Sequence, residues 1–152
     1  MLLRFARLAA VALTFIIAAH ADATQLIYGS YYEDNGFVSC TSTSSCRLDF
    51  AQTSATDLTM ITRINCASAS TVQLTEFTLY VAATTGGTPV GNRFLPLELP
   101  APALVNFVYY YNFQQDLQFL VGQGRVPYVN ILNATGGTTS LRCTIVGTPV
   151  SP

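Results

Sequence analysis

The segment Leu58-Thr59-Met60-Ile61-Thr62-Arg63-Ile64-Asn65-Cys66 indicates the type of secondary structure from which this chain is built. Its apolar side chains recur at alternate positions: Leu58, Met60, Ile64 and Cys66. A period of two residues predicts a β-strand with one buried face. Residues 141–145 repeat the alternation and place a second cysteine, Cys143, on the apolar side. Two strands that are distant in sequence are therefore predicted to point cysteines into the core.

Residues 1–23 have the layout of a secretory signal peptide. Arg4 and Arg7 precede an apolar run over residues 8–19, and small residues follow it. The run is shorter than the ~20 residues that a membrane-spanning helix needs. We predict a helical signal peptide that is cleaved after Ala23 or Ala21, and a secreted or periplasmic protein. Residues 24–152 are predicted to form a single domain without a transmembrane helix.

The composition of residues 24–152 limits the partners of the domain. The 129 residues carry five arginines, seven acidic residues and no lysine, and like charges are not clustered. A nucleic-acid interface needs a basic stripe, so nucleic acid is excluded as a partner class. An unidentified protein or glycan is the partner class that remains open.

Short stretches of alternating residues, separated by Gly, Pro, Ser and Thr, predict eight to ten short strands. This pattern favours an all-β, two-sheet β-sandwich with Greek-key or jelly-roll-like connections. Two individual strands are predicted: one over residues 25–32, kinked at Gly29, and an edge strand at residues 95–99. Hairpins are predicted with loops at 41–45 and 133–139, and a β-bulge at Thr75-Glu76. Turns are predicted at 33–36, 67–71, 114–116 and 122–125.

Four cysteines behind a signal peptide predict two disulfides, and three pairings are available. Cys40–Cys46 with Cys66–Cys143 is favoured, because the first would close a predicted hairpin and the second would join the two inward-facing strands. The pairings of Cys40 with Cys66 or with Cys143 stay open. The spacing of Cys40 and Cys46 fits neither a redox motif nor a zinc site, so no metal and no cofactor are predicted.

The residue types argue against an enzyme. The single histidine, His20, lies in the predicted signal peptide, and the chain has no lysine. Nucleophile systems that need His, Lys or a free thiol are therefore excluded. Paired carboxylates remain as a glycosidase alternative, with Glu76 at the predicted bulge as the leading candidate. The other isolated acids are Asp49, Glu98 and Asp116.

Tyr109-Tyr110-Tyr111 is a tentative binding surface for a sugar or a protein. Alternation turns Tyr110 outward and the other two tyrosines toward the core, so ordinary packing is the competing interpretation. Asn133-Ala134-Thr135 is a formal glycosylation acceptor in a predicted loop, relevant only in a eukaryotic source.

These features predict an exported, non-enzymatic β-sandwich protein, envelope-associated or secreted, with a structural or a ligand- or partner-binding role. The alternatives are a small outer-membrane β-barrel and a carboxylate-dependent glycosidase. A further alternative is a pilus-type subunit completed by strand donation, which would carry a free N-terminal strand.

Overall fold

The structure is a computed structural model that describes residues 24–151, all of it β-strands and connecting loops. The predicted signal peptide and its cleavage sites lie outside the described residues. The strands are β1 (Thr24–Tyr28), β2 (Tyr31–Asp49), β3 (Leu58–Ser70), β4 (Leu74–Ala82), β5 (Pro89–Pro96), β6 (Ala103–Val105), β7 (Val108–Val121) and β8 (Val126–Val150). Across residues 24–151, no helix has the length and apolar character to cross a membrane.

All strand pairs are antiparallel, and the main path through the sheet is β1-β2-β8-β3-β7-β6. Strand β4 leaves this path by pairing with β8, and β5 pairs with β4. The two halves of β8 have different neighbours, since residues 126–133 pair with β4 and residues 139–150 pair with β3. The prediction of an all-β, disulfide-linked chain is confirmed.

The two predicted hairpins at residues 41–45 and 133–139 are wrong, because β2 and β8 each continue through these segments as one strand without reversing direction. The two strands pair along both halves, with register shifts on either side of Thr43. Positive φ angles at Ser42 (55°) and Gly136 (73°) bend the strands there. Turn-forming residues permit either a bend or a reversal, and continued pairing between β2 and β8 selects the bend.

The predicted acceptor Asn133 therefore lies in β8 and is buried. Its Nδ2 donates to the Thr43 carbonyl at 3.0 Å, and its Oδ1 accepts from Gly136 N at 2.7 Å. Both atoms join the bends of the two strands. A side chain held in this way is not presented for glycosylation.

The predicted kink at Gly29 is a reversal, in which Gly29-Ser30 connects β1 to β2. The predicted turn at residues 33–36 lies inside β2. Gly36 allows the Leu48 side chain to pack against the backbone of β2, because a Cβ at this position would lie 2.8 Å from Leu48 Cδ1. The polar segments at 67–71 and 114–116 are likewise mostly strand, since β3 extends to Ser70 and β7 runs without a break.

The predicted bulge in β4 is confirmed by a register shift between Leu74 and Glu76. The edge strand predicted at residues 95–99 is mostly wrong in position, because β5 ends at Pro96 and residues 97–100 are not strand. Strand β5 is an edge strand, since it pairs with β4 alone. Residues 122–125 form the predicted turn, between β7 and β8.

The inward face of β3 changes phase along the strand. The pairing of β3 shifts register between Ile61 and Arg63. Thr59 and Ile61 are the buried residues before the shift, and Ile64 and Cys66 are buried after it. Leu58 and Met60 were predicted on the buried face but are only half-buried. The alternation of apolar residues predicted the strand correctly. The register shift reverses which residues face the core, so the residues predicted to be buried before it, Leu58 and Met60, lie on the opposite face.

One hydrophobic cluster contains side chains from five strands, namely β2, β3, β4, β7 and both halves of β8. Its largest fully buried members are Tyr32, Tyr111, Phe50, Phe77, Leu48, Ile61 and Ile64.

Candidate functional site

The four cysteines form Cys40–Cys46 and Cys66–Cys143, and no described cysteine is free. This is the pairing that the sequence favoured. One disulfide lies within a single strand, and the other joins two neighbouring strands. Cys40 and Cys46 lie on the same strand, yet their Cα atoms are 5.7 Å apart. Six residues of extended strand would separate them by ~20 Å. This disulfide therefore clamps the bend in β2.

Cys66 and Cys143 face each other directly across β3 and β8, with Cα atoms 4.2 Å apart. Both side chains are buried in the hydrophobic cluster. The disulfide joins neighbouring strands at the centre of the sheet, 77 residues apart in sequence. Its role in the described structure is to hold the fold together.

The three predicted tyrosines do not form one surface. Tyr111 is buried, and its hydroxyl accepts a hydrogen bond from Leu74 N at 2.9 Å. Tyr109 packs against the hydrophobic cluster and is half-buried. Only Tyr110 is exposed. Of the three, Tyr110 alone is available to a partner.

The acids considered for glycosidase chemistry lie on separate elements with separate partners. Asp49 accepts hydrogen bonds from Arg47, and Asp116 accepts one from Arg63 at 2.7 Å. Glu76 accepts from the Thr78 hydroxyl at 2.8 Å. Glu98 follows β5 in a loop. In residues 24–151 no group of three or more His, Cys, Asp or Glu side chains could hold a metal ion.

A buried carboxyl that the sequence did not indicate lies in β2. Asp34 is fully buried, and its Oδ2 accepts a hydrogen bond from Ala51 N at 2.7 Å. Its Oδ1 and the Tyr32 hydroxyl lack hydrogen-bond partners among the described residues. Burial raises the pKa of Asp34 to about 6. Burial, reinforced by the nearby Asp34 carboxylate, also raises the pKa of Tyr32.

The exposed large apolar side chains are concentrated at the two ends of the main sheet path. Those at the β1 end are Leu26, Ile27, Tyr28 and Tyr31, and those at the β6 end are Leu104, Val105, Phe107 and Tyr110. Ile27 is 51% exposed, Leu104 58% and Phe107 91%. We call these two groups the β1 edge and the β6 edge. Clustered exposed apolar side chains mark interaction sites more often than isolated ones do.

Each of these edges is built by a hairpin with a two-residue turn. Gly29 has a φ of 59° in the β1–β2 turn, and Asn106 and Phe107 have φ angles of 49° and 63° in the β6–β7 turn. Two positive φ angles define the type I′ turn, for which Asn followed by Gly is favoured. A phenylalanine in this conformation is unusual and costs backbone energy. The β6 edge therefore keeps an exposed aromatic side chain where a glycine would be more stable.

Both edge strands are short, which is one protection against strand pairing, but they carry no charge or proline as further protection. Within residues 24–151, no strand pairs with the outer side of β1 or β6. Both strands lack charged residues and proline. The third edge, β5, begins and ends with proline, carries Arg93, and has a register shift opposite residues 80–82. Charge, proline and bulges are the devices that block edge-to-edge pairing.

No family model and no curated protein matches the chain. Among solved structures, it is similar to a chain from the structure described as "Bacillus endospore appendages form a novel family of disulfide-linked pili". The similarity covers 90% of this chain and 100% of that chain, with 12% sequence identity and a TM-score of 0.32. Because a TM-score of 0.32 is too low to indicate a common fold, no property of that protein is assigned to this chain.

Proposed function

We propose that this chain is an exported, non-enzymatic structural subunit that assembles with copies of itself through the β1 and β6 edges. The observation that carries the proposal is the placement of apolar edge strands without charge or proline at both ends of one sheet. Such edges are templates for pairing with another chain. Two disulfides suit an oxidising compartment outside the cytoplasm.

We propose that each subunit is a two-layer β-sandwich whose layers are connected by the bends in β2 and β8. Contacts between β4 and β7 support this, because the two strands are not neighbours in the sheet. Strand β4 pairs with the first half of β8, whereas β7 pairs with β3, which pairs with the second half of β8. The rings of Phe77 and Phe113 meet edge to face, with centroids 4.8 Å apart. The Leu74–Tyr111 hydrogen bond joins the same two strands.

The strand directions allow the sheet to continue from one subunit to the next. Five antiparallel pairings along the six-strand path leave β1 and β6 antiparallel to each other. A second copy in the same orientation would therefore place its β1 antiparallel to the β6 edge of the first. Such a head-to-tail contact uses two different surfaces and does not close on itself, so repetition produces an open filament.

This assembly differs from donation of a free N-terminal strand. Strand β1 already pairs with β2 over five residue pairs, so it presents only its outer side. Strand β6 has three residues, which limits the new ladder to a few hydrogen bonds. Burial of Ile27, Leu104 and Phe107 would supply the remaining free energy of association, at about 25 cal/mol for each Å² of apolar surface removed from water.

Proline substitutions on the outer sides of the two edges test the proposal. Tyr28 and Val105 lie directly beside the two-residue turns and form the hydrogen bonds within each hairpin. Ile27 and Leu104 are one residue further from the turns, so their N–H groups point away from the hairpin partner. Proline there removes an outward donor and leaves the hairpin ladder in place. We expect the wild-type chain without residues 1–23 to form concentration-dependent oligomers by sedimentation velocity, and Ile27→Pro and Leu104→Pro each to be monomeric.

Mixing the two variants separates head-to-tail assembly from a symmetric dimer. Each variant keeps one intact edge, so an equimolar mixture should form a 1:1 dimer that does not grow. Pairing of β1 with β1 of a second copy predicts instead that Leu104→Pro alone dimerises. Ile27→Val, which keeps the N–H, is the matched control and should assemble like the wild type. A wild-type chain that stays monomeric at every concentration would contradict the proposal.

Phe107→Gly should separate the stability of the subunit from its assembly. Glycine relieves the left-handed backbone at this position, so we expect the free energy of unfolding of the monomer to rise by up to ~1 kcal/mol. Loss of the exposed ring should weaken assembly at the same time. Asn106→Gly in the same turn is the control and should change neither, since asparagine tolerates positive φ. Urea unfolding and sedimentation measure the two effects, and a stronger assembly of Phe107→Gly would contradict the role of the ring.

A further inference from the structure

A shallow groove runs across the outer face of the sheet formed by β2, β8, β3 and β7. It consists of two adjoining depressions of about 500 and 180 Å³, which share Ala67, Asn112 and Arg142. Residues Phe37, Arg142, Ala67 and Asn112 lie side by side in one row across the four strands. The small Ala67 side chain creates the depression between its larger neighbours. The groove does not include the outer sides of β1 and β6, and it shares one residue, Tyr110, with the β6 edge.

The groove has aromatic rings at its two sides and amides along it. Phe37 on β2 is exposed at one side, and Tyr110 on β7 is exposed at the other. Three strand spacings of ~4.8 Å separate these strands, so the rings lie on the order of 14 Å apart. The amide side chains between and beside them belong to Asn65, Asn112 and Gln114. Amides offer both donors and acceptors to hydroxyl groups.

Arg142 is the single charged residue that lines the groove. Its guanidinium lies 5.8 Å from the centroid of the Phe37 ring. In the described part of the chain the ion pairs are Arg47–Asp49 and Arg63–Asp116, and neither involves Arg142. Glu33 on β2 lies four residues from Phe37, at ~13 Å along the strand. The positive charge in the groove is therefore not neutralised by a neighbouring carboxylate.

We propose that this groove binds a linear acidic polysaccharide. Sugar rings would stack on Phe37 and Tyr110, hydroxyl groups would bond to the amides, and a carboxylate of the sugar would bond to Arg142. Arginine binds carboxylates with two parallel hydrogen bonds, which selects acidic sugars over neutral ones.

Titration with saccharides of matched length tests this inference. Oligogalacturonate is the acidic probe and cello-oligosaccharide the neutral one, with the disulfide-bonded chain kept monomeric by Ile27→Pro. Calorimetry should detect binding of the acidic probe, weakened by added salt, and weaker or no binding of the neutral probe. In NMR spectra, the side-chain amides of Asn65 and Asn112 should shift on binding.

Variants assign the site. Arg142→Gln should lower the affinity for the acidic probe about tenfold or more, and Phe37→Ala should lower affinity for any saccharide that binds. Arg93→Gln lies outside the groove and should bind like its parent. Equal affinity for both probes, no binding of the acidic probe, or unchanged affinity in Arg142→Gln would each overturn the inference. None of these outcomes bears on assembly through the edges, which is measured without saccharide.

Discussion

Replacing both Cys66 and Cys143 by alanine should lower the free energy of unfolding by about 4.5 kcal/mol. The disulfide closes a loop between residues 77 apart in sequence, so its removal releases much conformational freedom in the unfolded chain. The cavity left at two buried positions adds to the loss. Urea unfolding of the variant and the wild type under oxidising conditions measures the difference.

The second disulfide is the matched control. Cys40 and Cys46 are six residues apart, so the same chain-entropy relation predicts a loss of only about 2.4 kcal/mol for the double alanine variant. Local loosening of the bend in β2 should accompany this smaller loss, and hydrogen exchange near Thr43 would detect it. If removal of the short loop destabilised the chain as much as removal of the long one, loop length would not govern the effect.

Asp34→Asn should make the folded chain more stable at pH 7 by up to ~3 kcal/mol. Burial raises the pKa of Asp34 from 3.8 to about 6, so the ionised form is disfavoured in the folded state. A rise of this size corresponds to ~3 kcal/mol as an order of magnitude. Asparagine keeps an oxygen for the Ala51 N–H, and its amide group supplies a donor beside the Tyr32 hydroxyl.

The sign of the pH dependence follows from the raised pKa. Between pH 4 and pH 6 the folded state holds a proton on Asp34 that the unfolded state has lost. The stabilising contribution is therefore complete below pH 4 and is lost as the pH rises through about 6. The difference in unfolding free energy between Asp34→Asn and the wild type should be near zero at pH 4 and reach its maximum by pH 7. A difference that stays constant from pH 4 to pH 7 would contradict this account of the carboxyl.

Alternation and turn chemistry predicted much of the strand content but not the partners of each strand. The bulge at Thr75-Glu76 was readable, because the phase of apolar residues reverses there. The bends at Thr43 and Gly136 were mistaken for reversals, because Ser, Thr and Gly satisfy the backbone requirements of both. The β1 and β6 edges were not foreseen, since exposure of Ile27 or Leu104 depends on which strand ends the sheet.

Periodicity and side-chain chemistry were enough to predict an all-β chain with inward-facing cysteines. Only the folded structure shows that Asp34 is buried in a strand and that Phe37, Arg142 and Asn112 line one groove. Local sequence sets which conformations a segment can adopt, whereas burial and neighbours depend on pairing with segments that are more than a hundred residues away, as for β2 and β8. In Leu58–Cys66, alternation predicted the strand, and pairing with β7 and β8 placed the bulge that sets its buried side.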